Sequence, residues 1–288
     1  MTTRLMFVGT DRISDLCLCL QFDHFLTPAF DKTIVYHRSP QQEVTAALDR
    51  FQIDYNNFEF VQDAVFEQTV RSLGYQREIN WLTANDDMAW IRQQFYKLLA
   101  LDLCTDEQVV ISDSDSFRIV PHTYFVDGVP VLYHDNDFVN DPATWGTVFE
   151  ELTGLPTTKT VYVSEFFPIL KSDWRACTAL IEQRSGKHWL QSFIDALQRT
   201  STDQGLHFSE YQFLSNWILH LRPNTPQVKQ SRYWPDTRNP LSQELTRIDL
   251  KQYNCLNIDS KTWHKKMSLD EVEEYYKIIT DLIGKNSP

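Results

Sequence analysis

Hydrophobic positions in the first half of the chain alternate between short continuous runs and stretches with helical spacing. The continuous runs predict buried strands at 5–8, 33–36, 58–61 and 109–111. Between them, residues 41–51 and 86–101 place apolar side chains three and four positions apart, which predicts amphipathic helices. This alternation predicts an α/β domain with a mostly parallel central sheet flanked by helices.

The second half of the pattern is more helical. It predicts a strand at 160–163 and helices at 172–184, 189–199, 210–221 and 268–284, the first with a serine N-cap at Ser172 and the last with a capping box from Ser268 to Glu271. Proline and asparagine interrupt the pattern after residue 222. We therefore predict a main domain at 1–221, a basic, aromatic-containing loop or lid at 222–267 and a C-terminal docking helix at 268–288.

Glycine is scarce and excludes several enzyme classes. Only 8 of the 288 residues are glycine, and no two of them form a G-x-G-x-x-G fingerprint, a Walker loop or a G-x-S-x-G elbow. The dinucleotide oxidoreductases, P-loop NTPases and α/β-hydrolases are therefore disfavoured. The aromatic fraction of 13% is large enough to fill a core and also line a cleft.

The charge is uneven along the chain. The net charge of -12 disfavours indiscriminate binding to nucleic acid or to anionic membranes. Residues 222–266, however, hold nine basic and four acidic side chains, and aromatic residues are interleaved with the cations. Such a segment favours an anionic ligand or a polyanion.

The five cysteines form no C-x-x-C pair, the N-terminus lacks a secretory signal pattern, and no apolar run approaches 18 residues. We expect reduced thiols, a cytoplasmic location (the host cytoplasm if the chain is phage-encoded) and no membrane span. Nothing in the sequence indicates the oligomeric state.

The strand predicted at 109–111 leads directly into Ser112-Asp113-Ser114-Asp115. In open α/β sheets, ligands bind at the carboxyl ends of strands. Residues i and i+2 of an extended segment project to the same side, so Asp113 and Asp115 are candidates to hold one divalent cation through carboxylate oxygens. The alternative is a solvated acidic turn without a ligand.

Three blocks in order give the D-x-D a context: Trp90-Ile91-Arg92-Gln93-Gln94-Phe95-Tyr96-Lys97-Leu98, the D-x-D itself, and Phe208-Ser209-Glu210-Tyr211. Together they resemble a bacterial and phage family of glycosyltransferases with the pattern W-x-R-Q-Q-x-x-K-L, D-x-D, F-S-E-Y. The resemblance covers about residues 75–221, roughly half of the chain. It implies a glycosyltransferase-A-like fold and sugar transfer from a nucleotide-sugar donor, with a UDP-sugar expected.

The resemblance also implies roles for individual residues. Asp113 and Asp115 would hold Mn²⁺ or Mg²⁺ against the donor diphosphate, and Asp115 would belong to the catalytic residues. The other donor-binding candidates are Gly9, Thr10, Asp11, Arg92, Gln93, Lys97, Ser114 and Lys265. For Arg92 and Lys97 the alternative to a binding role is a position on a solvated helix face.

Glu210 in the third block is the candidate carboxylate on the acceptor side. In an inverting transferase it would be the general base, and in a retaining one it would orient the acceptor. The alternative is a first-turn glutamate that complements the helix dipole. Glu165, after the strand predicted at 160–163, is a second carboxylate candidate, and His264 is a candidate metal ligand, with a surface histidine as its alternative.

The acceptor stays open between a glycan hydroxyl and a hydroxylated DNA base such as hydroxymethylcytosine, which would have to be flipped out of the duplex. The basic segment 222–266 suits either a donor lid or an acceptor groove. Two other functions compete with the transferase: a nucleotidyltransferase with paired aspartates, and a nucleotide- or sugar-binding module without catalysis. The sequence does not distinguish retaining from inverting chemistry.

Overall fold

The structure is a computed structural model that describes residues 1–8, 12–27, 29–84, 89–134, 142–162, 166–200, 208–229, 232–233, 252–253, 255–257 and 267–286. Its strands, in chain order, are β1 (Thr2–Phe7), β2 (Leu26–Thr27), β3 (Lys32–His37), β4 (Phe58–Gln62), β5 (Gln108–Asp113), β6 (Ser116–Arg118), β7 (His122–Thr123), β8 (Phe125–Val126), β9 (Val129–Pro130), β10 (Leu132–His134), β11 (Phe166–Leu170), β12 (Gln227–Lys229), β13 (Arg232–Tyr233) and β14 (Cys255–Asn257). Its α-helices are α1 (Ile13–Leu20), α2 (Gln41–Arg50), α3 (Asp63–Ser72), α4 (Gln76–Thr83), α5 (Ala89–Leu103), α6 (Pro142–Thr153), α7 (Lys171–Ser185), α8 (Trp189–Thr200), α9 (Glu210–Leu221) and α10 (Leu269–Asn286), and a short 3-10 helix spans Asp23–Phe25.

Five strands form the central sheet in the order β11-β5-β1-β3-β4. The four strands β1, β3, β4 and β5 are parallel, and β11 runs antiparallel to β5 at one edge. The predicted α/β architecture with a mostly parallel sheet is confirmed. The four strands predicted in the first half correspond to β1, β3, β4 and β5, although β4 is only partly buried because it lies at the other edge.

The two faces of the sheet are covered by different helices. One face carries Leu5, Val109 and Ile111 and packs against a large cluster that includes residues of α5 and α7–α9. The other face carries Met6 and Val35 and packs against α1, α2 and α10. Parallel sheets occur in proteins that cover both faces of the sheet, and both faces are covered here. The sheet therefore lies in the middle of three layers.

The strand predicted at 160–163 is wrong. Residues 160–162 are irregular, and the backbone of Tyr162 and Thr160 bonds to one side chain of α9: Tyr162 N–H donates to Gln212 Oε1 at 2.9 Å, and Gln212 Nε2 donates to the Thr160 carbonyl at 3.0 Å. A side-chain amide thus takes the place of a partner strand. The sheet strand is β11, and it includes Pro168, which an edge strand tolerates.

The serine cap predicted for α7 is also wrong. The N-cap residue is Leu170, with no side-chain cap, and Ser172 bonds instead to the Glu107 carboxylate. The capping box of α10 is confirmed: Ser268 N–H donates to Glu271 Oε2 at 2.8 Å, and Glu271 N–H donates to Ser268 Oγ at 3.4 Å. Val272 and Ile279 of α10 are fully buried in the cluster with α1, so this helix packs against the core.

The described parts of the segment predicted as a loop or lid include short strands. β12 pairs with β10, and β14 pairs with both β13 and β6. β14 runs antiparallel to β6, and its last residue, Asn257, lies opposite Ser116. The division of the chain at residues 221 and 267 stays a prediction. Within the described ranges, no helix is long and apolar enough to cross a membrane.

Candidate active site

The candidate site lies where the direction of strand addition reverses. From β1 the chain adds β3 and β4 on one side and later adds β5 on the other, so that Phe7, the last residue of β1, lies beside Asp113, the last residue of β5. In an open α/β sheet the crevice outside the carboxyl ends of such strands is the usual ligand site. The D-x-D motif and the chain after β1 therefore meet at this crevice.

Asp113 is the link between this edge and the helices behind it. Its Oδ2 accepts from Lys97 Nζ at 2.9 Å and from the Tyr211 hydroxyl at 3.0 Å, and Oδ1 accepts a weaker bond from Gln93 Nε2 at 3.3 Å. Its side chain keeps 17% of its surface exposed. Asp113 is thus fixed by side chains of α5 and α9 and keeps part of its surface exposed.

Lys97 is a buried cation rather than part of a solvated helix face. It is 1% exposed, lies two helical turns into α5, and also donates to Glu210 Oε1 at 2.7 Å and to the Tyr211 hydroxyl at 3.0 Å. Its ammonium lies 4.5 Å from the centre of the Tyr211 ring. Burial by itself would lower the pKa of Lys97, but the Asp113 and Glu210 carboxylates outweigh burial and raise it. Lys97 is therefore charged at neutral pH.

Glu210 is completely buried in the first turn of α9. The helix begins where Ser209 Oγ accepts from the backbone N–H of Gln212 at 3.3 Å, and this cap sets the position of Glu210. Burial raises the pKa of Glu210, and Asp113 adds to this as a second negative charge, while Lys97 opposes both. Among the described residues, the carboxylate contacts Lys97 directly, and Lys97 connects it to Asp113. Its predicted general-base role stays a prediction.

Gln94 is a further partner of Glu210. We orient its amide with the nitrogen towards Glu210, because the reverse orientation places an amide oxygen against a carboxylate. In this orientation the nitrogen donates to Glu210, and the oxygen accepts from Trp90 Nε1 at 3.3 Å. Glu210 is held by an ammonium and an amide from successive turns of α5.

The second carboxylate of the motif has its own cation. Asp115 Oδ2 accepts from Arg12 Nη1 at 2.5 Å, and the same nitrogen lies 3.9 Å from Asp15 Oδ2. Asp115 is 19% exposed, whereas Ser114 between the two aspartates is buried, and its carbonyl accepts from Cys19 Sγ at 2.8 Å. The two aspartates therefore flank a buried residue, and both keep some surface towards solvent.

Arg92 is the remaining cation of α5 at this end of the helix. It is 9% exposed, so the solvated-face alternative is wrong for it as well as for Lys97. Among the described residues it makes no hydrogen bond or ion pair. Its charge lies near the Tyr96 hydroxyl, whose proton bonds to Glu67. An almost buried guanidinium without an anion suits a ligand that brings the anion.

The motif offers carboxylate oxygens to a divalent cation. Among the described residues, Asp113 and Glu210 bond to Lys97, and Asp115 bonds to Arg12. The described residues contain no group of three or more His, Cys, Asp or Glu side chains that forms a complete metal site. Magnesium characteristically takes one or two carboxylates and completes its shell with substrate phosphates and water. The donor set of Asp113 and Asp115 fits that pattern.

The structure brings together Asp113, Lys97, Gln93 and Glu210 and connects Asp115 to Arg12. The predicted residues Gly9, Thr10, Asp11, Glu165, His264 and Lys265 lie outside the described residues. β11 begins at Phe166, so Glu165 immediately precedes a strand rather than following one.

Sequence reasoning did not single out Arg12, Asp15 or Tyr211 for the contacts that they make, nor Gln94 as a partner of Glu210. The sequence held a clue to the position of two of these residues near the site. Arg12 directly follows Gly9-Thr10-Asp11, and Tyr211 is the last residue of the third block.

No protein-family model matches the chain, and no curated protein matches its sequence. Solved structures that are similar to it include the galactosyltransferase LgtC, solved with donor and acceptor sugar analogues (14% identity, 98% of this chain and 95% of that chain, TM-score 0.49). Mouse xyloside xylosyltransferase 1 is similar at 12% identity (91% and 99% of the two chains, TM-score 0.48), and the glycosyltransferase GlyE of Streptococcus pneumoniae at 12% (99% and 64%, TM-score 0.46). At this level of similarity they assign no activity to this chain.

Proposed function

We propose that this chain is a glycosyltransferase that transfers a sugar from a nucleotide-sugar donor to an acceptor hydroxyl. The observation that carries the proposal is the D-x-D motif at the topological switch point, where Asp113 and Asp115 are each partly exposed and each bond to a buried cation. The resemblance of the three sequence blocks to a glycosyltransferase family supports the same function. A UDP-sugar is the proposed donor, either a hexose or a pentose, and the cytoplasm is the proposed location.

Asp113 and Asp115 would hold Mn²⁺ or Mg²⁺, which would neutralise the negative charge that develops on the diphosphate leaving group. The chain prepares this site through Lys97 and Arg12, which fix the two carboxylates from behind and limit their mutual repulsion. Arg92 has a charge free to pair with a phosphate oxygen. Glu210 acts through Lys97, because its carboxylate bonds to that ammonium at 2.7 Å and has no exposed surface.

Two candidates from the basic segment stay within reach of the motif. Asn257, the last residue of β14, lies opposite Ser116, the residue after Asp115. His264 follows seven positions later in the sequence, and seven residues span at most roughly 25 Å. The chain length therefore allows His264 and Lys265 to contact a diphosphate bound at the motif. The acceptor is either a glycan or a hydroxylated DNA base, and the basic, aromatic-containing segment suits both.

The test is ligand-induced stabilisation of the purified protein by uridine, guanosine, cytidine and thymidine diphosphates, each with and without Mn²⁺. A ligand at 100 times its Kd adds about 2.7 kcal/mol, or about 5 °C in Tm for a chain of this size. We expect a Mn²⁺-dependent shift with one base and its loss in Asp113→Ala. The matched control is Asp195→Ala: Asp195 lies on α8, its carboxylate pairs with exposed Lys187, and its removal should leave the shift unchanged.

Product analysis separates the competing functions. A glycosyltransferase releases a nucleoside diphosphate from a nucleotide sugar, whereas a nucleotidyltransferase releases pyrophosphate from a nucleoside triphosphate. A folded wild-type protein that no nucleoside diphosphate stabilises, with or without Mn²⁺, would refute the proposed function. A Mn²⁺-dependent Tm shift that is unchanged in Asp113→Ala would show that the motif is not part of the binding site.

A further inference from the structure

Trp90 is an unusually exposed tryptophan beside the candidate site. It keeps 40% of its surface exposed, whereas Trp174, Trp189 and Trp217 are at most 4% exposed and Trp81 is partly buried against the core. Exposing an indole to water costs free energy in proportion to the apolar surface exposed. A tryptophan that the described fold leaves uncovered at the edge of a crevice therefore suits an amphipathic ligand.

The indole is held in place by the polar network of the site. Its Nε1 donates to the Gln94 side-chain oxygen at 3.3 Å, and the Gln94 nitrogen donates to Glu210, which pairs with Lys97. The chain of contacts continues from Lys97 to Asp113 at 2.9 Å. An exposed indole whose polar atom is already bonded presents an ordered apolar face, so its loss of conformational freedom on binding is small.

The position of Trp90 on α5 places it at the mouth of the site. A short connection joins the end of α5 to the start of β5. The first turn of α5 therefore lies at the same edge of the sheet as the carboxyl end of β5. Trp90 is seven residues before Lys97, which is about 10 Å along the helix axis. The helix therefore presents, from the interior outwards, a cation, two amides and an apolar ring.

We propose that Trp90 is the stacking platform for a pyranose ring at the mouth of the site. One face of a pyranose carries mainly C–H bonds and packs on an aromatic ring, while its hydroxyl groups bond to polar neighbours such as Gln93. This inference rests on the proposed function and adds to it the residue that recognises the sugar. The ring belongs either to the donor or to the acceptor, and the experiment distinguishes the two.

The experiment compares the wild type with Trp90→Ala, Trp90→Phe and Leu221→Ala. Leu221 is the matched control, because it is also 40% exposed on a helix. The affinity of each protein is measured by calorimetry for the nucleoside diphosphate, for the matching nucleotide sugar, and for methyl glucoside, methyl galactoside and methyl xyloside. We expect Trp90→Ala to weaken the sugar-bearing ligands about 5- to 10-fold and to leave the nucleoside diphosphate unchanged. Trp90→Phe and Leu221→Ala should stay within about twofold of the wild type.

A loss confined to the nucleotide sugar assigns the platform to the donor ring, and a loss confined to the methyl glycosides assigns it to the acceptor ring. Equal affinities of Trp90→Ala and the wild type for every sugar-bearing ligand would overturn the inference, as would an equal loss for the sugar-free diphosphate. If no nucleotide binds the wild type, the proposed function fails separately. The methyl glycoside titrations then decide on Trp90: binding that Trp90→Ala weakens and Trp90→Phe retains supports the inference, and no binding to the wild type refutes it.

Discussion

Replacing Lys97 with methionine tests the reasoning about the buried charges of the site. Lys97 is 1% exposed, and its ammonium bonds to Asp113 at 2.9 Å and to Glu210 at 2.7 Å. Methionine has a similar length and no charge, so Lys97→Met creates little cavity. It leaves a fully buried Glu210 beside Asp113 with no cation between them.

Removing one partner of a buried ion pair costs about 3–5 kcal/mol. For a chain of this length such a loss lowers Tm by about 5–9 °C. The loss depends on pH because Glu210 can escape the penalty by binding a proton. Its folded-state pKa is already raised and rises further without Lys97. A carboxyl group with a raised folded pKa stabilises the fold when protonated, and this stabilisation is lost as pH rises from the unfolded value, about 4.3, through the folded pKa.

The assay is denaturant unfolding of both proteins at pH 5 and at pH 8. We expect Lys97→Met to be destabilised at both values and more strongly at pH 8. Lys187→Met is the control: its ammonium pairs with Asp195 at 2.6 Å but is 49% exposed, so its removal should cost less than about 1 kcal/mol at either pH. The double variant Lys97→Met with Glu210→Gln should recover part of the loss, because the uncompensated carboxylate is gone.

A Lys97→Met protein within 1 kcal/mol of the wild type at pH 8 would refute the buried ion pair. An equal loss at pH 5 and pH 8 would refute the assignment of the penalty to Glu210. No recovery in the double variant would show that Lys97 stabilises the fold by packing rather than by charge.

Two further variants test single contacts. Arg92→Met removes the charge and keeps most of the buried volume, so Tm should stay within about 2 °C of the wild type. This variant should weaken nucleoside diphosphate binding about 5- to 10-fold, more at low than at high salt. Calorimetry at two ionic strengths checks this, and an unchanged affinity would place Arg92 outside the donor site. Ser268→Ala removes the capping box of α10 and should cost about 1 kcal/mol in denaturant unfolding, and a neutral result would mean that docking onto α1 alone fixes this helix.

The sequence predicts an element well where its own residues decide the structure. α9 begins at Glu210 and ends at Leu221 as predicted, because Ser209 supplies the cap from within the segment. Residues 160–163 have the composition of a strand, yet the Gln212 side chain takes up the backbone bonds of this segment. No local pattern records that partner, since it lies 50 residues away. The sequence did not predict β11, because Pro168 argues against a strand until the edge position of that strand is known.

The site shows the same limit. The D-x-D and the two flanking blocks identify Asp113, Lys97 and Glu210 as candidates, but not that Lys97 bonds to both carboxylates. Lys97 and Glu210 are 113 positions apart, and their contact depends on how α5 and α9 pack. The same holds for Arg12 and Asp115, which are 103 positions apart and meet because β1 and β5 are neighbours in the sheet.

The pairing of β14 with β6 and of α10 with α1 has a consequence during synthesis on the ribosome. All five strands of the central sheet precede residue 221, but the segments that cover β6 and α1 end at residues 257 and 286. About 65 residues must therefore be added after α9, which takes roughly 3 to 13 s at ordinary rates of translation. Throughout this interval α1 lacks the helix α10, which packs against it in the same apolar cluster. The nascent chain exposes apolar surface next to its D-x-D edge, and at this stage it is most prone to aggregate or to need a chaperone.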